Sequence, residues 1–179
     1  VITHEEFRGI ASVILAGGRD TVVKLITGAI WHFGRNPDDF EYLRQNPDRI
    51  DAAIQELLRF LTPNPAMVRS TVPESTVKVL PDDRYVQISF LSGNFDETVF
   101  ENPFELNIRR ERNPHVSFGF GPHTCIGNHV TEIEARVFIQ TLLDSGIRWE
   151  ISDSSKIHFY SGPMASVPAE FESLFVRIR

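Results

Sequence analysis

Only one cysteine occurs among the 179 residues, which excludes an internal disulfide and any all-cysteine metal cage. Cys125 is therefore either a small buried apolar residue or a functional thiol. Basic clusters are also missing: 18 Lys and Arg stand against 24 Asp and Glu, net −6, which argues against nucleic acid as a partner. No apolar run approaches the roughly 18 residues of a membrane span. Val1 to Phe7 lacks the basic-then-apolar order of a signal peptide, so the chain reads as cytoplasmic with no membrane partner. Repeats, linkers and low-complexity segments are absent too. What is present, 41% hydrophobic and 23% charged residues, is the composition of one globular domain able to bury a core.

Thr3 and Glu6 form a capping box, and Phe7, Ile10, Ile14, Val22, Leu25, Ala29 and Phe33 follow at helical spacing, which predicts a long helix ending at Gly34. Its middle holds Ala16-Gly17-Gly18, followed by Asp20 and Thr21. Each interior glycine costs about 1 kcal/mol relative to Ala, so either two helices meet here with Asp20 capping the second, or the backbone is opened for a function. Asn36-Pro37 and Asn46-Pro47 each read as an N-cap with proline at the first helical position. They predict a short helix and then one running to about Leu61, where Pro63 and Pro65 stop it. On the latter, Glu56 and Arg59 share a face among apolar neighbours, either as an exposed ion pair or as a partly buried one.

The pattern then turns to β. Val77 and Val79, then Val86, Ile88 and Phe90, alternate across a Pro81-Asp82-Asp83 turn. Ser92 to Arg112 has no clear period, though Phe95, Phe100 and Phe104 predict that it is packed. Val130, Ile133, Val137 and Leu142 mark a helix ending at Gly146, with short strands around Ile157 and at Leu174, Val176 and Ile178.

The most informative stretch is Phe118-Gly119-Phe120-Gly121-Pro122-His123-Thr124-Cys125-Ile126-Gly127, a glycine-punctuated loop that delivers the cysteine to the start of a helix. A helix N-terminus favours negative charge and so favours a thiolate, and the glycines allow close approach of a flat cofactor. The residues alone leave three other readings: a structural cysteine, a Cys–His nucleophile, and a zinc site from His115, His123, Cys125 and His129. The last lacks the paired spacing of strong zinc motifs. No Gly-Lys-Ser/Thr follows the glycines, which weighs against phosphate binding.

Phe118-x-x-Gly121-x-x-x-Cys125-x-Gly127 resembles the haem-binding signature of the cytochrome P450 family. Three further elements follow the family's order: Gly17-Gly18-Arg19-Asp20-Thr21 resembles the oxygen-activating motif, Glu56-Leu57-Leu58-Arg59 the ExxR pair, and Ser92 to Arg112 the meander. The run Gly17 to Val23 is similar to that of bacterial soluble members of the camphor-hydroxylase type. The resemblance covers essentially the whole chain, which starts where the family's long central helix starts. It therefore implies the C-terminal, haem-binding portion over residues 1–179, without the N-terminal half.

The resemblance implies a mainly α fold with small β-sheets, and a monooxygenase that places one oxygen atom of O2 in a small hydrophobic substrate, for instance a terpenoid. It implies haem b (iron protoporphyrin IX) between the long helix and the cysteine loop, with a ferredoxin-type electron donor. By the same likeness Cys125 is the axial iron ligand, whose thiolate favours O–O cleavage, Thr21 hydrogen-bonds the bound dioxygen or an adjacent water, and Asp20 relays protons to it. His123 and Arg69 hold the haem propionates, while Phe118, Gly119, Gly121, Gly127, Ala16 and Gly17 line the haem. Glu56 and Arg59 brace the meander. Val13, Ala16, Pro65, Ala66, Met67, Val68, Met164 and Ala165 match substrate contacts.

Two positions depart from the family pattern. Glu105 stands where many relatives carry a meander arginine that completes a triad with Glu56 and Arg59. Thr131 and Glu132 replace a small and a basic residue on the helix after Cys125, which alters the charge offered to an electron donor. A truncated, catalytically silent haem-binding module is the alternative within the same resemblance.

Overall fold

The computed structural model of the protein describes residues 1–71 and 85–179. Val77, Val79 and the Pro81–Asp83 turn lie outside the described residues. Helix α1, His4–Arg35, is a single unbroken helix of 32 residues, about 48 Å of rod at 1.5 Å per residue. Its capping box is formed: the Thr3 hydroxyl accepts from the Glu6 amide at 3.2 Å, and the Glu6 carboxylate accepts from the Thr3 amide at 2.7 Å. The two-helix reading of Gly17-Gly18 is therefore corrected. Asp20 lies inside the helix and caps nothing, because continuous hydrogen bonding through both glycines outweighs their modest propensity cost.

Helix α2 spans Pro37–Gln45, a 3₁₀ turn follows at Pro47–Arg49, and α3 runs Ile50–Leu61. Asn36 and Asn46 stand at the expected boundaries, but their side chains work in the opposite direction from an N-cap. Asn36 Nδ2 donates to the His32 carbonyl at 2.9 Å and Asn46 Nδ2 to the Tyr42 carbonyl at 2.8 Å. Each asparagine thus adds a side-chain donor to a carbonyl that its own backbone amide already caps, while the proline after it removes one amide that would have needed a partner. Thr62, at φ 37°, closes α3 in a left-handed turn.

The remaining elements are β1 (Ala66–Ser70), β2 (Tyr85–Ser89), α4 (Phe90–Asn94), a 3₁₀ turn (Gly121–His123), α5 (Asn128–Ser145), β3 (Trp149–Ile151), β4 (Lys156–Phe159), a 3₁₀ turn (Gly162–Met164), β5 (Pro168–Ser173) and β6 (Val176–Ile178). The strands form three antiparallel pairs, β1–β2, β3–β6 and β4–β5. In the first, Ala66 pairs with Ser89 and Ser70 with Tyr85. Phe90, expected in a strand, instead opens α4, whose N-cap Ser89 accepts from the Ser92 amide at 3.1 Å. Leu174 falls between β5 and β6 rather than inside a strand.

The core lies between the C-terminal half of α1, α3 and α5. Leu25, Ala29 and Phe33 meet Ile54, Leu57, Leu58 and Leu61, with Ala135, Ile139 and Leu143 closing the third side. Helices α1 and α3 approach so closely at Gly28 that an added Cβ would stand 2.2 Å from Leu61 Cδ1. A second, aromatic cluster joins Trp31, Phe60, Phe95 and Val167. The N-terminal half of α1 takes no part in either: residues 4–20 are exposed except for half-buried Ala11. The fold is thus mainly α with small β-sheets.

Candidate functional site

Cys125 sits on the loop between α4 and α5, exposed, three residues before α5 begins and two before its N-cap, Gly127. The loop is closed on itself, since the Cys125 amide donates to the Phe118 carbonyl at 2.8 Å. Gly119 and Gly121 adopt φ of 72° and 69°, a left-handed conformation that disfavours side chains and lets the loop double back. A Cβ on Gly127 would lie 3.8 Å from Cys125 Sγ, so the thiol rests directly over the backbone that leads into α5.

Behind this loop stands a buried polar frame. Glu56 and Arg59, both with wholly buried side chains, form a bidentate pair: Arg59 Nε and Nη2 each donate to a Glu56 carboxylate oxygen at 2.8 Å. The exposed pair that the spacing also allowed is not what forms. Arg59 further donates to the carbonyls of Asn94 and Pro103 at 2.9 Å and of Glu105 at 3.0 Å. Glu56 in turn accepts from the Asn107 amide, Asn113 Nδ2 and Arg110 Nε at 2.9–3.0 Å. The Asn94–Asn113 stretch is therefore wrapped around one ion pair, with Phe95, Phe100 and Ile108 buried beneath it. The arginine that completes the triad is Arg110, five residues beyond Glu105. Glu105 itself gives only its main-chain carbonyl, so charge at that position is irrelevant to the frame.

The segment entering the loop is fixed to the same frame. Asn94 Oδ1 accepts from the Val116 amide at 2.8 Å, Asn94 Nδ2 donates to Ser117 Oγ at 2.8 Å, and Ser117 Oγ donates to the Leu58 carbonyl at 2.7 Å. His115 Nε2 faces Gln55 Oε1, 2.8 Å distant, and burial pushes its pKa down to about 4. Asn94, Arg110 and Gln55 had no visible signal in the sequence, because each acts through contacts with residues distant along the chain.

On α1, Thr21 Oγ1 donates to the Gly17 carbonyl at 2.7 Å, and the neighbouring Asp20 side chain is 82% exposed. Val13 and Ala16 are exposed on the same helix, with open space where a Cβ of Gly17 or Gly18 would stand. Met67 and Val68 of β1 and Ala165 are exposed, while Ala66, Arg69 and Met164 are half-buried. Arg69 donates to the Val68 carbonyl at 2.9 Å, and His123 is exposed in its 3₁₀ turn. A hollow of about 620 Å³ lined by Trp31, Arg35, Glu150 and Phe159 holds none of the sequence-predicted site residues.

Among the described residues, no three His, Cys, Asp or Glu side chains converge to hold a metal ion. The zinc arrangement of His115, His123, Cys125 and His129 is thus not formed, for His115 is committed to Gln55 and His129 lies against Glu132 at 3.5 Å. A lone exposed thiol on a glycine loop suits a metal whose other ligands arrive with it in a macrocycle. Such a donor set, backed by a buried Glu–Arg frame, defines the class of thiolate-ligated haem proteins, and the residues present fit that group.

The comparisons narrow the class. The cytochrome P450 family model matches residues 1–170, and the chain belongs to that family. It is 32% identical over 164 residues to cytochrome P450-terp of Pseudomonas sp, covering 88% of this chain and 38% of that one. It is 29% identical to linalool 8-monooxygenase of Pseudomonas putida, over 87% of this chain and 39% of that one. Among solved structures, a carbohydrate-active P450 matches 99% of this chain and 48% of its own, at 30% identity and a TM-score of 0.87. Cytochrome P450-153 from Novosphingobium aromaticivorans matches with a TM-score of 0.84 at 27% identity, over 100% of this chain and 45% of its own. The chain spans less than half the length of these relatives. Among the described residues no helix is long and apolar enough to cross a membrane.

Proposed function

We propose that residues 1–179 are the haem-holding portion of a cytoplasmic cytochrome P450 monooxygenase that inserts one oxygen atom of O2 into a small hydrophobic substrate, with electrons from a ferredoxin-type donor. The observation that carries this reading is the single cysteine, exposed on a doubled-back glycine loop and braced by the buried Glu56–Arg59 frame. Bound haem b would supply the activation of O2. Cys125 Sγ would hold its iron, with Phe118, Gly119, Gly121, Gly127, Ala16 and Gly17 lining the group. His123 and Arg69 would hold its propionates, a cation and a neutral donor offsetting carboxylate charge.

Proton delivery would fall to α1. The Thr21 hydroxyl already donates its hydrogen to the Gly17 carbonyl, so its oxygen lone pairs are free to accept from a water or an oxygen-bound proton. The Asp20 carboxyl, beside Thr21 on α1, would pass protons inward as a general acid. Val13, Ala16, Ala66, Met67, Val68, Met164 and Ala165, all apolar, would exclude water and favour a compact hydrocarbon-rich substrate. The terpene-linked names of two relatives support a terpenoid.

The test is spectroscopic. The full-length protein supplied with haem, reduced and exposed to carbon monoxide, is expected to show the red-shifted Soret band of thiolate ligation, and Cys125→Ala to lose it. Full reactivity of Cys125 with an alkylating reagent in the presence of haem overturns the assignment. Titration with small terpenes, read as a shift of the Soret band of the haem-loaded protein, tests the substrate class.

A further inference from the structure

Gln55 of α3 touches both flanks of the Cys125 loop. Its Oε1 lies 2.8 Å from His115 Nε2, three residues ahead of Phe118, where the loop begins. Its Nε2 donates at 2.9 Å to Glu132 Oε1 in the second turn of α5, the helix into which the loop runs. The direction of each bond is settled by the neighbours. The Ser117 amide donates to His115 Nδ1 at 3.2 Å, so that nitrogen carries no hydrogen and the ring holds its proton at Nε2. Gln55 must therefore accept with Oε1 and present its NH2 to the carboxylate, and no flipped amide satisfies both sides.

We propose that Gln55 is a positioning residue for Cys125, its side-chain amide holding both flanks of the loop to α3 and so, together with the Cys125–Phe118 backbone bond, setting the place of the thiol. The other tie from α5 to α3, Arg136 to Asp51, reaches only the exit side and is solvent-exposed. The Asn94 and Ser117 bonds hold only the entry. An amide is required because position 55 must accept from a neutral imidazole and donate to a carboxylate. Glutamate there would set two carboxylates face to face, and leucine would leave both partners unsatisfied. Its consequence for metal ligation rests on the reading of Cys125 as haem ligand; the bridge itself does not.

A charge swap tests this. In Gln55→Glu/Glu132→Gln the amide and the carboxylate change places, and every donor again meets an acceptor. Two readouts are taken on the full-length protein: the alkylation rate of Cys125 in haem-free material, followed by peptide mass, and the ratio of neutral-thiol to thiolate carbon-monoxide bands in haem-loaded material. Gln55→Leu and Gln55→Glu are each expected to change both by roughly fivefold, the population shift that goes with one lost hydrogen bond. The double variant is expected to return both to wild type. Wild-type readouts in both single variants overturn the proposal, as does a double variant that folds but stays as disturbed as Gln55→Glu. If the single variants do not fold, the double decides alone: wild-type values support the bridge and disturbed values overturn it. Alkylation rates that follow this pattern in a protein with no thiolate band would uphold the bridge and sink the haem assignment instead.

Discussion

Arg110 Nε donates to Glu56 Oε2 at 3.0 Å, on the same carboxylate whose oxygens are already gripped by Arg59. Two guanidinium groups therefore neutralise one wholly buried acid, and one of them, Arg59, spends its remaining hydrogens on three main-chain carbonyls. This asymmetry ranks the three side chains by what their loss leaves behind.

Arg59→Ala takes the bidentate partner from a wholly buried carboxylate and the donor from three main-chain carbonyls at once. It is expected to destabilise the protein by about 3–5 kcal/mol and to abolish haem incorporation, measured by denaturant titration and by the haem-to-protein absorbance ratio. Arg59→Lys is not expected to rescue it, since an ammonium cannot present the fork that bridges carboxylate and carbonyls. A normally haem-loaded Arg59→Ala protein rules out the bracing role.

Arg110→Ala removes the outer partner only. Glu56 keeps Arg59, Asn113 and the Asn107 amide, so the expected loss is smaller, about 1–3 kcal/mol. Glu105→Ala leaves its carbonyl in place and is expected to stay within about 0.5 kcal/mol of wild type. Equal losses for the two would show that Arg110 adds no more to the frame than Glu105 does.

Much of this was legible in the sequence and some was not, for identifiable reasons. Helix boundaries came through where punctuation is local: the Thr3/Glu6 box, Pro63 and Pro65 after α3, and Gly146, whose φ of 68° ends α5. The strands at Trp149–Ile151 and Pro168–Ser173 were not visible, because three residues carry no period and a leading proline argues against a strand. Glu56 and Arg59 could be paired by their spacing, and Cys125 marked by its glycine-punctuated loop, while their roles came from the family resemblance. Arg110 could not, since its partner lies 54 positions away and the irregular chain between them decides which arginine arrives.

Glycine substitutions separate packing from propensity. Gly28→Ala drives a methyl into buried Leu61 and is expected to cost about 1–3 kcal/mol. Gly18→Ala, in the same helix but with nothing within 4 Å of the new carbon, is expected to stabilise the haem-free protein by up to about 1 kcal/mol. Thermal or denaturant melts of the two variants should move in opposite directions.

Acid should weaken the fold before the carboxylates titrate. Burial holds His115 near pKa 4 in the folded protein, against an ordinary imidazole value of about 6.5 in the unfolded chain. Between these values the unfolded state binds the extra proton, so stability is fully present above about pH 6.5 and falls as pH drops toward 4, by about 2–3 kcal/mol in all. His115→Gln is expected to flatten the stability–pH curve over that interval. An unchanged slope in this variant would show that His115 is not the group responsible.

Leu25, Ala29 and Phe33 of α1 pack against Leu57, Leu58 and Leu61 of α3, the helix that also carries Glu56 and Arg59. Thr21 stands one turn before Leu25. Helix α3 therefore serves as a common datum for the proposed proton carriers on α1 and for the frame behind Cys125. A repacking at Leu57 or Leu61 would be felt on both sides at once.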